Sequence, residues 1–329
     1  MTVNDFREAR PGAVWAALGA VYFFWGTTYL AIRVAVETMP PFLMASVRFL
    51  IAGAILYLLA IRTGDREGDR PTAAHWWSAA ITGSLLLFGG NGLVTWAEQR
   101  VESGIASLMI ATVPLWLVVF GRLFLRDRVT WREWVGIALG LAGLALLVDP
   151  TSDISMDPFG GLLLVLAPMF WAIGSLYARR APAPKRALVA VGMQMLAGSV
   201  VLALAGIVTG ELGDVRLSAI SLESMLGLGW LVVFGSIVGY SAYVWLLRVT
   251  RTSLVGTYAY VNPVVAVGLG WLILDERITA RTLIAGGIIV VAVALIVTAR
   301  GARADHAEPE AAEDGAEPAR DDRISAERS

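Results

Sequence analysis

Long apolar runs alternate with short polar links along most of this chain. Ten of these runs are each close to the ~20 residues that an α-helix needs to cross a bilayer. The short links require neighbouring helices to pack as antiparallel hairpins, and none is large enough for a soluble domain. The pattern predicts an all-α integral membrane protein with ten transmembrane helices. The predicted spans are 13–32, 42–61, 76–97, 104–124, 132–148, 159–178, 187–208, 224–247, 254–274 and 281–299.

Composition supports a membrane location. Hydrophobic residues make up 57% of the 329 positions and charged residues only 16%, whereas a soluble domain has about 25% charged residues. A soluble core could not hide so much apolar surface, so the surplus must face lipid. The first run is too long for a signal peptide and lacks a small-residue cleavage site, so we interpret it as a retained span.

Basic residues at the ends of the runs predict the orientation. With the N-terminus in the cytoplasm, seventeen arginine and lysine residues lie on the cytoplasmic side and five lie outside. This bias follows the positive-inside rule. An even number of spans then returns the C-terminus to the cytoplasm. The five outer residues are Arg33, Arg100, Arg216, Arg277 and Arg281.

The chain repeats itself. Pro114 in "VPLWLVVFGRLFLRDRVT" aligns with Pro263 in "NPVVAVGLGWLILDERIT", 149 residues later, and the "FW" pair ending at Trp25 recurs at Trp171. Five helices per unit is an odd number, so the second unit enters the membrane from the opposite side. Inverted repeats of this kind are common in secondary transporters, with the binding site near the midplane. The predicted domains are a first repeat over 1–148, a second over 149–300, and a disordered acidic cytoplasmic tail over 301–329, which has too few apolar residues for a core.

The paired prolines point to a central cavity. A proline in mid-helix frees a backbone carbonyl, which at membrane depth must be satisfied by protein or by a watery cavity. We therefore expect Pro114 and Pro263 to kink two symmetric helices, although proline is also tolerated in many membrane helices. Asn262 should face the cavity or bond a neighbouring helix.

Several deep polar and aromatic residues are candidates to bind a substrate. Trp25 and Trp171 lie too deep for an interfacial belt, so they line the cavity or fill space. Hydroxyl groups after Trp25 either contact substrate or bond within the membrane helices. Asn91, between glycines, lines the cavity or packs helices. The hydroxyl candidates are Thr27, Thr28, Tyr29 and Tyr258.

Arg48 is an ionisable group inside the second span, which is costly and by default functional. Three readings remain open from the sequence. Arg48 binds a substrate carboxylate, pairs with Glu98 at the end of the third span, or extends to the outer headgroups.

Five motifs follow one another along the chain: "FFWGTTYLAIR", "PPFLMASVRFLIAG", "GNGLVTWAEQRVESGIASL", "LRDRVTWREWVGIALGLAGLALL" and "YAYVNPVVAVGLGWLILDERIT". In order and spacing they resemble the EamA-like permeases of the drug/metabolite transporter superfamily. The resemblance implies ten helices, alternating access, a cytoplasmic (inner) membrane location, and export of small metabolites such as amino acids. The first repeat departs from the second at "RDRVT", where Asp127 replaces the glutamate of "DERIT".

Other functions have less support. The chain lacks cysteine and a nucleotide-binding GxxxxGK[ST] motif, and it shows no metal-ligand or nucleophile–base cluster, so we expect no cofactor, no ATP hydrolysis and no enzyme activity. We expect a small-molecule substrate and the lipid bilayer as partners, and no nucleic acid. A drug or cationic-compound efflux permease is the alternative transporter, and a non-transport membrane protein is a third hypothesis.

Two further expectations concern packing and coupling. Gly136, Gly140 and Gly143 form a stripe that indicates close helix packing, within the chain or across a homodimer. Carboxylates such as Glu98 and Asp275 lie near span ends, which disfavours a mechanism based on a buried protonatable acid. Proton coupling through Glu98 stays open at this stage.

Overall fold

A computed structural model describes residues 11–62, 70–127, 129–148, 157–250, 252–255 and 257–314. Within these residues the chain forms helices joined by short links, and no strand is assigned. We number ten helical runs in chain order. They are α1 Pro11–Ala35, α2 Pro41–Arg62, α3 Ala73–Ala97, α4 Ser103–Leu125, α5 Trp131–Val148, α6 Pro158–Ala178, α7 Ala187–Val208, α8 (Leu222–Trp230, Leu231–Val238 and Gly239–Val249), α9 (Thr252–Val255 and Tyr258–Leu274) and α10 Ala280–Asp314.

Eight of these runs are long and apolar enough to cross a bilayer, which confirms an all-helical membrane protein. The apolar helix Tyr258–Leu274 is shorter than the usual span, and α5 has only 18 residues. The exact count of ten spans therefore stays a prediction. In the α7–α8 link lie a short helix, Glu211–Asp214, and a 3₁₀ turn, Leu217–Ala219.

The last helix extends further than its apolar part. Apolar residues end near Ala299, and the helical backbone continues to Asp314. The disordered acidic tail over 301–329 stays a prediction. Residues 315–329 lie outside the described part of the chain, and the predicted domain boundaries stay predictions.

The helices pack in a pattern that the two halves share. α1 contacts α8 and α9, and α6 contacts α3 and α4 in the same way. α2 packs on its counterpart α7, and α5 packs on its counterpart α10. The chain reversal after α4 is also repeated after α9, because Arg126 and Asp275, 149 residues apart, both adopt left-handed backbone with φ of 58° and 53°.

Glycines allow the counterpart helices to approach closely. A Cβ on Gly53 of α2 would lie 2.7 Å from Met195 Cβ of α7. On α5, a Cβ on Gly136 would lie 2.6 Å from Ile296 Cγ1 of α10, and one on Gly143 would lie 2.8 Å from Ile289 Cγ1. The predicted glycine stripe therefore packs within the chain. The homodimer stays a prediction.

Candidate functional site

A cavity of about 110 Å³ lies at the centre of the bundle, between the two repeats. Helices of both halves contribute to its wall, as the inverted repeat predicts. Its volume exceeds that of a single water site several-fold, so it can hold a small organic molecule. The lining residues are Trp25, Thr28, Tyr29, Ile32, Arg48, Gly90, Asn91, Val94, Ser107, Ile110, Ala111, Val113, Ala167, Trp171, Gly235, Tyr240, Tyr258, Ala259, Asn262 and Pro263.

A π-helical segment interrupts α3 and another interrupts α8, at equivalent places. These segments are Ser84–Gly92 and Leu231–Val238. Single-turn π-bulges widen a helix and are frequent at functional sites, but these segments are longer. The second one directs the carbonyl oxygen of Gly235 toward α1, where the Trp25 indole donates a hydrogen bond of 3.1 Å to it.

The two deep tryptophans each lie on a glycine of the opposite repeat. A Cβ on Gly90 would lie 2.6 Å from Trp171 Cε3, and a Cβ on Gly239 would lie 2.8 Å from Trp25 Cδ1. Either methyl group would collide with a ring, because real Cβ contacts are longer. The internal symmetry relates the Trp25–Gly239 contact to the Trp171–Gly90 contact. Both indoles therefore lie against the backbone of a helix from the opposite repeat.

Tyrosines surround Trp25 on three sides. The ring centroids of Tyr240, Tyr243 and Tyr258 lie 5.6, 5.1 and 5.1 Å from that of Trp25. Tyr240 and Tyr258, which also line the cavity, meet Trp25 edge to face, and such contacts at this spacing are favourable. This half of the cavity is therefore an aromatic wall with hydroxyl groups, suited to the apolar part of an amphipathic molecule.

Arg48 points into the bundle, with 4% of its surface exposed. Its Nε donates to Ser236 Oγ at 3.0 Å and its Nη1 donates to Asn91 Oδ1 at 3.4 Å. Its guanidinium also lies 4.7 Å from the centroid of the Phe49 ring. Among the described residues no carboxylate lies within ion-pair distance of Arg48, so the Glu98 pair is not formed. Burial also rules out extension to the headgroups in this conformation.

The hydroxyl residues of α1 divide between the cavity and the protein interior. Thr28 and Tyr29 line the cavity. Thr27 does not: it donates to the Phe24 carbonyl and accepts a hydrogen bond of 2.9 Å from the Trp230 indole of α8. One residue is about 100° of helix rotation, which separates these neighbours.

The two prolines differ in local structure. α4 is interrupted at Ala111 and Thr112, directly before Val113 and Pro114. Pro263 instead lies inside a continuous helix and itself lines the cavity. A kink role for both prolines stays a prediction.

Asn262 ties α9 to α1. It is 7% exposed, and with its amide nitrogen turned toward α1 it donates to the carbonyl oxygens of Tyr22 at 3.1 Å and Tyr258 at 3.3 Å. A Cβ on Gly26 would lie 2.7 Å from Val265 Cβ, so the two helices are in close contact here. Asn262 therefore combines both expected roles, as a cavity residue and as a bond between helices.

At one end of the bundle the link after α9 meets the start of α4, the helix that carries the cavity residue Ser107. Glu276 accepts hydrogen bonds from the backbone N–H groups of Ser103 at 2.8 Å and Gly104 at 3.0 Å, and so caps α4 across the repeats. Beneath it Glu98 is fully buried, and Arg33 donates to the Glu98 backbone carbonyl. We call this the Glu276 end.

The sequence profile of the EamA-like transporter family matches residues 10–149 and again residues 158–298. The chain belongs to the EamA-like transporter family. The two matches confirm the two-repeat architecture and the resemblance drawn from the motifs. They also identify the chain as a membrane transporter.

The chain is similar to several known proteins. It is 42% identical to the uncharacterized inner membrane transporter YedA of Escherichia coli (strain K12), over 88% of this chain and 92% of that one. It is 26% identical to a WAT1-related chloroplastic protein of Arabidopsis thaliana, over 86% and 69%. A crystal structure of 22% identity superposes with a TM-score of 0.60, covering 89% of this chain and 99% of the other, which supports the fold alone.

Sequence reasoning missed several wall residues of the transporter. Ser107, Gly235 and Tyr240 line the cavity, and Ser236 positions Arg48. The repeat offset offered a signal for Gly235 and Tyr240, because they lie in the helix equivalent to that of Asn91. For Ser107 the sequence gave no signal beyond a small polar residue in an apolar run.

Proposed function

We propose that this EamA-like transporter exports small carboxylate-bearing metabolites, such as amino acids or related compounds, by alternating access. One observation carries the substrate class: the buried guanidinium of Arg48 reaches the cavity with no carboxylate partner in the described residues. The direction of transport rests on the family resemblance.

The energetics of Arg48 favour an anionic ligand. A charge held inside a membrane protein costs several kcal/mol unless it is paired or hydrated. Ser236 and Asn91 are neutral acceptors, and they engage only Nε and Nη1 of the guanidinium. A substrate carboxylate in the cavity would supply the missing charge, and its apolar part would lie against Trp25 and Trp171.

A cationic substrate fits the wall less well. It would lie in the same small cavity as the Arg48 guanidinium, and like charges repel strongly where the dielectric is low. Glu98 is a buried acid that interacts electrostatically with Arg48, but it is not part of the cavity lining. The charge of the wall therefore favours the metabolite hypothesis over a cationic-compound permease.

Alternating access gives the Glu276 end a role as a gate. With the orientation that the arginines predict, this end faces outward, and the Glu276 contacts to Ser103 and Gly104 close it. The repeat offset aligns Glu276 with Asp127 and Ser103 with Thr252. We propose that Asp127 caps the start of α9 in the opposite conformation and closes the cytoplasmic side.

Thermal unfolding of the purified protein tests the substrate class, because a ligand that binds the native state raises its stability. The probes are pairs of an amino acid and its amide derivative, in which a neutral carboxamide replaces the carboxylate and the amino group stays protonated. We expect only the carboxylate member to raise the melting temperature, and Arg48→Gln to abolish the effect. Arg100→Gln, at an exposed arginine, is the matched control and should retain it. Equal stabilisation by both members, or an effect that survives Arg48→Gln, would contradict the proposal.

A further inference from the structure

Glu98 is a buried acid that the sequence reasoning placed near a helix end. It follows the last residue of α3, yet its side chain has 0% exposure. Neither carboxylate oxygen has a hydrogen-bond partner among the described residues. Its neighbours Ala97 and Val101 belong to an apolar cluster with Ile105 of α4. The sequence disfavoured a mechanism based on a buried protonatable acid but left proton coupling through Glu98 open, and the burial of Glu98 favours that coupling.

Charged and titratable groups face Glu98 from three sides. Arg33 and Tyr29 lie on α1, Arg48 lies on α2, and Glu276 lies on the link after α9. The Arg33 guanidinium donates to the backbone carbonyl of Glu98, whereas the carboxylate oxygens of Glu98 have no hydrogen-bond partner among the described residues. Other charged groups of the same end are Arg100, Glu102, Asp157 and Arg277.

The closed end favours the neutral acid. Burial raises the pKa of Glu98 well above its ordinary value, and the Glu276 charge raises it further, while Arg33 and Arg48 oppose these effects. An ionised carboxylate without hydrogen bonds would cost several kcal/mol in this apolar setting. Opening this end would hydrate Glu98 and lower its pKa toward the ordinary value of a glutamate carboxyl group.

We propose that Glu98 is a proton-binding site of the Glu276 end, and that closing this end takes up a proton from the water on that side. The inference rests on the proposed alternating access, because it needs a conformation in which this end is open. Protonated Glu98 then stabilises the closed end, and loss of that proton favours opening.

The sign of the pH dependence follows from the two conformations. Below the pKa of Glu98 in the open conformation the acid is neutral in both, so pH has no effect. Between that pKa and the higher pKa of the closed conformation, each rise of one pH unit favours opening by about tenfold.

Cysteine accessibility measures the open population without a known substrate. The chain has no cysteine, so Ser107→Cys places a single thiol on the cavity wall below the Glu276 end. Spheroplasts expressing this variant are treated with a membrane-impermeant maleimide over a range of external pH. Gly213→Cys, at a position with open space around it in the α7–α8 link, establishes that this face is outside.

Matched variants make the result specific to Glu98. With Glu98 present, we expect the labelling rate of Ser107→Cys to rise by about tenfold per pH unit beyond the rise caused by thiol ionisation. In the Glu98→Gln background, which mimics the neutral acid, only the thiol effect should remain. Glu98→Asp keeps a titratable group and should retain the steep rise, which separates proton binding from misfolding.

Equal slopes with Glu98 and with Glu98→Gln would overturn the proton site, as would a slope of opposite sign. Ligand stabilisation through Arg48 is measured independently of this profile. A failure of the proton site is therefore distinguishable from a failure of the transport proposal.

Discussion

Gly270→Ala should weaken the closed Glu276 end. A Cβ on Gly270 would collide with the Glu276 carboxylate, lying 2.9 Å from its Cδ, and would lie 3.0 Å from Ser103 Oγ. The side chain could then no longer accept the N–H bonds of Ser103 and Gly104. Hydrogen bonds to charged groups contribute about 1.5–3 kcal/mol each when fully formed, and Glu276 is only half-buried. We therefore take about 2 kcal/mol for the pair, from the range for helix N-caps.

A loss of about 2 kcal/mol shifts the balance between closed and open conformations by about 30-fold. The shift is measured with Ile110→Cys, which places a thiol on the cavity wall. A maleimide added at the outer face should label this thiol faster when Gly270→Ala is also present. Gly268→Ala is the matched control, because a Cβ there would meet nothing within 4 Å. If Gly270→Ala labels no faster than Gly268→Ala, the Glu276 cap does not hold this end closed.

Two further predictions concern positioning and packing. Ser236→Ala removes the hydroxyl that accepts the 3.0 Å hydrogen bond from Arg48 Nε. The Kd for a carboxylate probe in a binding titration should therefore rise about fivefold, which corresponds to about 1 kcal/mol of binding free energy. An unchanged Kd would show that Ser236 does not position Arg48. Gly83→Ala would place a Cβ 2.6 Å from a backbone carbonyl oxygen of α7 and should destabilise the fold by about 1–3 kcal/mol in denaturant or thermal unfolding. Gly287→Ala meets nothing within 4 Å and should be neutral, so equal losses in both variants would contradict the packing argument.

Several of the cavity residues that the sequence predicted were found by comparing the two repeats of the chain. Trp25 and Trp171 were selected because they match across the repeats, and Arg48 because a charge in a span is costly. The cavity gathers all three. Thr27 lies outside the cavity lining and follows the other alternative left open by the sequence, a hydrogen bond between membrane helices. Adjacent residues of a helix face different directions, and a mostly apolar helix offers little periodicity to choose between them.

Long-range contacts set the features that the sequence did not predict. "SLLLFGGNG" reads as an ordinary apolar helix, and its π-helical form, Ser84–Gly92, accompanies packing on α6. Burial of Glu98 depends on Arg33 and on the link that carries Glu276, which comes from the other repeat. No local pattern encodes an approach between segments so far apart in the chain.

Counterflow in proteoliposomes tests the central claim most directly. Vesicles with purified protein are loaded with one unlabelled amino acid at a time, and trapping of the same labelled compound is measured for the wild type, Arg48→Ala and Arg100→Ala. We predict trapping of carboxylate-bearing compounds by the wild type and by Arg100→Ala, and its loss in Arg48→Ala. Trapping that persists in Arg48→Ala would contradict the role of Arg48, and no trapping of any compound in the panel would contradict the proposed substrate class.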